Sequence, residues 1–257
     1  MPRRARVKSE SGIYHIILRG INRQIIFEDE EDNQRFLQAL QRAKEISGFE
    51  LYAYCLMSNH IHILLRIVNE PLEQIMRRLC GSYVYWYNRK YERIGNLFLD
   101  RFKSEPVKDD TYFLTVLRYI HQNPYKTGLV KDLGSYVWSS YSIYNNYSGN
   151  KSRLVDPEFA LKIFHKDIYT AVKVFIEFHK AVHDDTCLEI EDNQRLTDLE
   201  AGEMIKSLFQ VTSGHELQKF DQKQRDTYLR QLKSKYNLSI RQIERLTGIN
   251  RGIIYRA

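Results

Sequence analysis

Two strand-like runs separated by only two residues constrain the fold of this chain most. Phe49 to Met57 and His60 to Val68 are largely apolar, and only Ser58 and Asn59 lie between them. A two-residue connection of this kind predicts an antiparallel pair of strands. Any fold assigned to the chain must therefore contain this hairpin.

The segments around the hairpin alternate between strand and helix patterns. Three of them carry apolar residues at helical spacing, and two are short strand-like runs. Asp109 or Asp110 can cap the third helix, and we expect this helix to stop near Asn123-Pro124, because proline disfavours a helical residue before it. The segments are a strand at Ile13–Arg19, a helix at Glu30–Ile46, a helix from Pro71 to about Tyr91, a strand at Arg101–Val107 and a helix from Thr111 to about Gln122.

The order βαββαβ, followed by a further helix, predicts an α+β protein with a ferredoxin-like catalytic domain. In this arrangement two helices cover one face of a four-stranded sheet, and the other face is left for another element. The polar stretch at residues 145–153 indicates a domain boundary,. We therefore predict a catalytic domain at residues 1–150 and a connector at residues 151–195, which contains one helical segment (Pro157 to Val182) and an acidic stretch.

Residues 196–257 carry the pattern of a helix-turn-helix. Thr227–Tyr236 and Ile240–Leu246 have helical patterns, and Gly248 lies in the turn before a last helical segment,. The basic charge of this region favours a module that binds duplex DNA. A helical bundle that contacts protein is the alternative.

The net charge of +7 is unevenly distributed along the chain. Residues 1–150 carry +5, residues 151–218 carry −5 and residues 219–257 carry +7. Two basic regions favour a polyanionic partner such as nucleic acid. No apolar run approaches the roughly 18 residues that a membrane span requires, so we expect a cytoplasmic protein without a membrane partner.

His60-Ile61-His62 begins the second strand of the hairpin. Residues two apart on a strand point to the same face, so both imidazoles can reach one metal ion while Ile61 points to the opposite face. Tyr119 and Asn123 lie four residues apart near the end of a predicted helix and project from one helical face,. Taken alone, each of these two patterns is more often structural than catalytic.

Several ordered motifs together resemble the IS200/IS605-like transposases with a single catalytic tyrosine, and most of all their REP-associated branch. The resemblance spans roughly residues 5–147. It implies a ferredoxin-like fold, a metal site at His60 and His62 and a nucleophile at Tyr119. The motifs are Tyr-His-Ile-Ile-Leu-Arg-Gly at 14–20, Met-Ser-Asn-His-Ile-His at 57–62, Arg-Phe-Lys at 101–103, Arg-Tyr-Ile-His-Gln-Asn-Pro at 118–124, Gly-Leu-Val at 128–130 and Trp-Ser-Ser-Tyr at 138–141.

The resemblance also implies a mechanism. Mg²⁺ or Mn²⁺ bound by His60, His62 and an amide oxygen would neutralise charge on a DNA phosphate while Tyr119 attacks phosphorus. The products are then a 5′-phosphotyrosine and a free 3′-OH. Many IS200/IS605 enzymes have Gln where this chain has Asn123, so Asn123 and its neighbour Gln122 both remain candidates for the third ligand.

Basic and polar side chains near the motifs are candidates for DNA contacts. Tyr83, Tyr85, Trp86 and Tyr87 can stack on bases, but packing within the fold is the preferred interpretation, and the same holds for Trp138 and Tyr141. His15 and His121 have no spacing that makes them ligands. The candidates for DNA contacts are Arg3, Arg4, Arg6, Arg19, Arg23, Arg101, Lys103, Arg241, Arg245, Asn250 and Arg251.

The leading hypothesis is a site-specific endonuclease and strand transferase that recognises a single-stranded DNA hairpin and cuts beside it. A non-catalytic regulator that binds DNA or RNA and retains the fold is the first alternative. A metal-dependent hydrolase without a covalent intermediate is the second. The sequence leaves monomer and homodimer equally open.

Overall fold

The chain divides into two units, each with its own hydrophobic core, Met1–Ile190 and Glu191–Ala257. The computed structural model describes residues 6–149, 152–181, 183, 185, 187, 188, 198–234, 236 and 238–257. Arg3 and Arg4 lie outside the described residues, and so does much of the acidic stretch of the predicted connector.

A four-stranded antiparallel sheet organises the first unit. Its strands are β1 (Ile13–Arg19), β2 (Glu50–Met57), β3 (His60–Arg66) and β4 (Lys103–Pro106), arranged in the order β2-β3-β1-β4. The predicted hairpin between β2 and β3 is confirmed, with Met57 paired to His60. β4 is shorter than the predicted strand at 101–107.

Helices α1 (Glu30–Ser47) and α2 (Leu72–Lys90) pack against each other. A capping box fixes the start of α1, because the side chains of Asp29 and Asp32 each accept a backbone hydrogen bond from the other residue,. Gly48 ends α1 in the left-handed conformation, at φ 67°, which glycine adopts without steric cost,. Both helices lie close to their predicted positions.

Helix α3 (Asp110–Lys126) packs against β2 and β3 and carries Tyr119 and Asn123. Asp109 caps it as predicted, with its carboxylate accepting from the Tyr112 N–H. The expected stop near Pro124 is wrong, since the helix continues through the proline to Lys126. Proline costs the helix one backbone hydrogen bond, and the hydroxyl of Thr127 donates to the carbonyls of Asn123 and Pro124 in the turn that follows.

Three further helices complete the first unit: α4 (Tyr141–Asn145), α5 (Pro157–Phe164) and α6 (Ile168–Lys180). The single helical segment expected from Pro157 to Val182 is instead two helices, because the chain is extended at His165 and Asp167 caps the second one. Ala160 and Phe175 are fully buried in the core that also contains the sheet. Residues assigned from the sequence to a connector therefore contribute to this core.

The second unit contains α7 (Asp198–Phe209), α8 (Gln222–Ser234), α9 (Ile240–Thr247) and α10 (Arg251–Arg256). Gly248, at φ 69°, ends α9, and the Asn250 side chain caps α10 by accepting from the Gly252 N–H. Leu229, Ile243 and Ile254 are fully buried in its core. Among the described residues of both units, no helix is long and apolar enough to cross a bilayer.

Candidate active site

Strand register places His60 and His62 on one face of the sheet. In β3 these residues pair with Arg19 and Ile17 of β1, while Ile61 is fully buried on the opposite side,. The two imidazole rings lie 5.1 Å apart, centroid to centroid. The alternation of side chains along β3 is therefore the one that the sequence predicts.

Helix α3 brings Asn123 to the two histidines. Its carboxamide Oδ1 lies 3.4 Å from Nε2 of His60, and its Nδ2 lies 3.3 Å from Nε2 of His62. The two ends of a carboxamide can exchange by a flip. The side chains of His60, His62 and Asn123 therefore meet at one place, with one end of the carboxamide beside each imidazole.

Tyr119 lies one helical turn before Asn123 and faces the same histidines. Its ring centroid is 5.5 Å from that of His62 and 5.9 Å from that of His15, in edge-on geometry. The ammonium group of Lys126 lies 5.5 Å from the centroid of the Tyr119 ring. The predicted nucleophile and the predicted ligands therefore belong to one site.

Gln122 points away from this site. Its Nε2 donates to the carbonyl oxygens of His179 and Ala181, at 2.8 Å and 3.1 Å, at the end of α6. Of the two candidates for the third ligand, only Asn123 has its side chain directed at the histidines. Gln122 instead ties α3 to α6.

Two residues that the sequence interpretation missed complete the site. Nδ1 of the fully buried His15 lies 2.9 Å from Oε1 of Glu105, and Nε2 of His15 lies 3.1 Å from Nδ1 of His62. We call Glu105, His15 and His62 the strand network. A histidine within an otherwise apolar strand was the one indication in the sequence, because only the register of β1 with β3 and β4 shows its partners.

Burial and neighbouring groups set the charge states here. Burial, together with the positive charge that His15 and His60 can carry, lowers the pKa of His62 well below its usual value,. His62 is therefore neutral at physiological pH, as a metal ligand must be. Burial alone would raise the pKa of Glu105, but hydrogen bonds from His15 and from the Leu188 N–H lower it overall, so Glu105 is ionised.

The donor set fits a divalent cation. Nδ1 of His60 lies 2.7 Å from Oδ1 of Asn59, and Nδ1 of His62 lies next to His15, so Nε2 of each ring can serve as the coordinating nitrogen,. Among the described residues no group of three His, Cys, Asp or Glu side chains forms a metal cluster. A metal at this place would therefore depend on the amide oxygen of Asn123.

The basic candidates of the first unit occupy several environments. The guanidinium of Arg6 stacks on Phe102 at 3.7 Å, and Arg101 is exposed. Arg19 and Lys103 lie on the strands that flank the site: Arg19 pairs with His60, and Lys103 pairs with Ile17, which is also the partner of His62. Arg23 lies in the turn after β1 with a positive φ of 59°.

In the second unit the candidates cluster around α9 and α10. Arg241 is exposed, and Arg245 makes a two-pronged ion pair with Asp198, with both distances 2.9 Å. Arg251 pairs with Glu244, and Asn250 serves as the cap of α10. These contacts stabilise the helical module and leave its DNA contacts a prediction.

Packing is the confirmed role for most of the aromatic cluster in α2. Tyr83 is fully buried and Tyr87 nearly so, and their hydroxyls donate to the carbonyls of Ile26 and Ile25. Tyr85 alone is well exposed, at 71%. The buried ring of Tyr141 likewise packs against Phe175 in the core.

Comparison with known proteins shows a likeness to transposases. Residues 8–123 match the transposase family described as IS200 like. A candidate REP-associated tyrosine transposase from Haemophilus influenzae is 27% identical over 119 residues, which is 41% of this chain and 66% of that protein. The match thus spans just under two thirds of the relative's length.

A solved structure of a REP-associated tyrosine transposase bound to a REP hairpin has a similar fold. Its TM-score is 0.50 at 17% identity, and the superposition covers 61% of this chain and 92% of that one. At this identity the likeness concerns the fold alone. Together with the family match, it confirms the resemblance found in the sequence motifs.

Proposed function

Because residues 8–123 match the IS200-like transposase family, we propose that this chain cuts and rejoins single-stranded DNA beside a hairpin through a covalent tyrosine intermediate. One observation carries the proposal: His60, His62 and Asn123 converge on one point, and Tyr119 lies beside it. A protein that only binds DNA has no need for this convergence.

The proposed reaction is a transesterification at phosphorus. The Tyr119 oxygen forms a bond to the phosphorus of the scissile phosphate, and the bond from phosphorus to the 3′-oxygen breaks. The 3′-oxygen leaves as a hydroxyl after taking up a proton, and the phosphate stays on the 5′ end, joined to the tyrosine. Since the ester is conserved, attack by a second 3′-OH reverses the step and rejoins the strands.

The side chains around Tyr119 have proposed roles in this reaction. His60, His62 and Asn123 would hold Mg²⁺ or Mn²⁺, which supplies stabilisation of the negative charge that develops on the phosphate oxygens. A free tyrosine has a pKa near 10, so the phenol proton of Tyr119 must be removed as its oxygen bonds to phosphorus, while the leaving 3′-oxygen takes up a proton. Arg19 and Lys103 are placed to contact phosphates that flank the site.

The proposed partner is a single-stranded hairpin, since the REP-associated transposase of similar fold is bound to a REP hairpin. We propose that the C-terminal unit adds affinity for duplex DNA through its helix-turn-helix pattern and its basic surface. A single chain contributes Tyr119, His60, His62 and Asn123 to the site, so a monomer can hold a complete active site.

A metal-dependent covalent adduct tests the proposal. Wild type, Tyr119→Phe and the control Tyr125→Phe, which removes an exposed hydroxyl on the same helix, are incubated with labelled hairpins from the DNA flanking the gene, with Mn²⁺ or EDTA. We expect wild type and Tyr125→Phe to give a protein–DNA band that requires Mn²⁺, and Tyr119→Phe to give none.

The same gels separate the alternatives. Cleavage that persists in Tyr119→Phe would favour a hydrolase that uses water as nucleophile. Hairpin binding without any cleavage by wild type would favour the non-catalytic regulator. A band that forms equally well in EDTA would contradict the role proposed for the metal.

A further inference from the structure

The strand network forms an unbroken line of hydrogen bonds that ends at the proposed metal site. It runs from the Glu105 carboxylate through both nitrogens of His15 to Nδ1 of His62, with distances of 2.9 Å and 3.1 Å. His15 is fully buried and His62 is 3% exposed, so the bond between the two rings is shielded from water. Along this line, Glu105 and His15 connect to the proposed metal site through His62.

We propose that Glu105 and His15 are positioning residues that fix the tautomer of His62 and raise the affinity of the site for a divalent cation. This inference rests on the metal site of the proposed function. A carboxylate placed behind a ligating histidine orients the ring and makes its free nitrogen more basic. In this protein the imidazole of His15 lies between the Glu105 carboxylate and the proposed ligand His62.

The donor and acceptor roles follow from the carboxylate. An ionised carboxylate only accepts, so Nδ1 of His15 carries the proton that lies between His15 and Glu105. With His15 neutral, its Nε2 is an acceptor, and Nδ1 of His62 must donate to it. The lone pair of His62 is then on Nε2, the nitrogen that faces Asn123.

The carboxylate is itself held in place. Oε1 of Glu105 accepts the backbone N–H of Leu188 at 2.9 Å in addition to the His15 proton. The side chain of Glu105 is 22% exposed, and that of His15 is fully buried. A partly buried carboxylate that accepts two hydrogen bonds is held in one orientation toward His15, which a fully solvated surface carboxylate would not be,.

The opposite arrangement has a different consequence. If Nε2 of His15 donated to His62, the proton of His62 would lie on Nε2 and its coordinating nitrogen would be blocked. Nitrogen-15 spectra of histidine-labelled wild type distinguish the two arrangements, with each resonance assigned by substituting one histidine at a time. Without metal, at pH 7.5, we expect the Nδ1–H tautomer at His15, His60 and His62; an Nε2–H tautomer at His62 would overturn the proposal.

Metal affinity supplies the second test. Mn²⁺ binding to wild type, Glu105→Gln and the control Glu50→Gln is followed by calorimetry and by the loss of the free-ion paramagnetic resonance signal. Glu50 is a matched strand carboxylate, which bonds Arg66 and Tyr52 rather than a histidine. We expect the dissociation constant to rise about 10-fold to 100-fold in Glu105→Gln and to stay unchanged in Glu50→Gln.

The outcomes separate this inference from the proposed function. Failure of folded wild type to bind Mn²⁺ would overturn the metal site and the positioning role with it. Tight binding by wild type that His60→Ala abolishes and Glu105→Gln leaves intact would overturn the positioning role alone. Should Glu105→Gln not fold, the tautomer of His62 in wild type still decides.

Discussion

Helix α3 separates two buried groups of histidines that differ in how their nitrogens are used. On one side is the strand network, with His60 beside it. On the other, His121 bonds His179 at 3.0 Å and the Ser140 hydroxyl at 2.8 Å, and His179 bonds the Phe175 carbonyl at 2.9 Å. We call His121, His179 and Ser140 the helix network.

The two groups differ in what their ring nitrogens bond. Burial acts alike in both, since it lowers the pKa of His62 in one and of His121 and His179 in the other. In the helix network each ring nitrogen of His121 and His179 is hydrogen-bonded to another group of the fold. These bonds link α3, α6 and Ser140 at the start of α4. Beside the strand network, two Nε2 atoms are directed at one carboxamide. The histidines of the helix network thus serve packing alone, whereas the Nε2 atoms of His60 and His62 face the carboxamide of a proposed metal ligand,.

The largest effect on DNA cleavage should come from Asn123→Ala, on the side of the strand network. Loss of the amide oxygen removes a proposed ligand, and we expect hairpin cleavage to slow about 100-fold or more, since even indirect contacts to a metal cost 10-fold to 100-fold. Gln122→Ala, next to it in sequence but directed at α6, is the matched control. Equal loss in both variants would show that α3 is merely destabilised, and the comparison of the two sides would fail.

A second prediction concerns stability on the side of the helix network. Arg118 makes a two-pronged ion pair with Asp185, at 2.6 Å and 2.8 Å, with both side chains largely buried. Arg118→Ala leaves a buried carboxylate without its partner, so we expect the free energy of unfolding to fall by about 3–5 kcal/mol. Urea unfolding measures this change.

The exposed pair of Lys162 and Glu158 in α5 provides the control, because Lys162→Ala should cost at most about 1 kcal/mol,. Folded Arg118→Ala should bind Mn²⁺ like wild type. Weaker metal binding by the folded variant would mean that the two sides of α3 are coupled.

The smallest predicted effect is a dependence of stability on pH. Burial lowers the pKa of His179 to about 3, whereas an unfolded histidine titrates near 6.5. Below pH 6.5 His179 therefore binds a proton in the unfolded chain but not in the folded protein. Its contribution to the free energy of unfolding is complete above this pH and is lost progressively on acidification. Between pH 7 and pH 5 we expect His179 alone to account for a loss of about 2 kcal/mol.

Urea unfolding of wild type and His179→Leu at pH 7, 6 and 5 measures this dependence. The variant should be less stable at pH 7, because His121 loses its partner, but its stability should fall less steeply with acidification. Identical slopes in the two proteins would assign the acid sensitivity to other groups.

Local sequence patterns were sufficient for much of the fold. Apolar strand-like runs and helical patterns located β1, β2, β3, α1 and α2, and one turn of α3 was enough to place Tyr119 and Asn123 on one face. The break between α5 and α6 was missed, since it depends on an extended residue at His165 in an otherwise helical pattern. The extent of α3 past Pro124 was missed because packing on the sheet outweighs one lost hydrogen bond.

The supporting residues of the site could not be predicted in this way. His15 and Glu105 are 90 residues apart and meet only because β4 pairs with β1 in the register that sets His15 opposite Glu105. Asn123 and Gln122 are chemically similar neighbours, and only the packing of α3 between the sheet and α6 distinguishes them. Sequence spacing detects pairs within one element, whereas pairs between elements depend on tertiary structure.

The bond from Leu188 to Glu105 has a practical consequence for producing shortened forms of this protein. The family match stops at residue 123, yet the N–H that holds Glu105 and the α6 contacts of α3 belong to residues far beyond it. A recombinant polypeptide cut at the limit of the match would lose these supports. The shortest gene fragment worth expressing for studies of the site therefore encodes residues through Leu188.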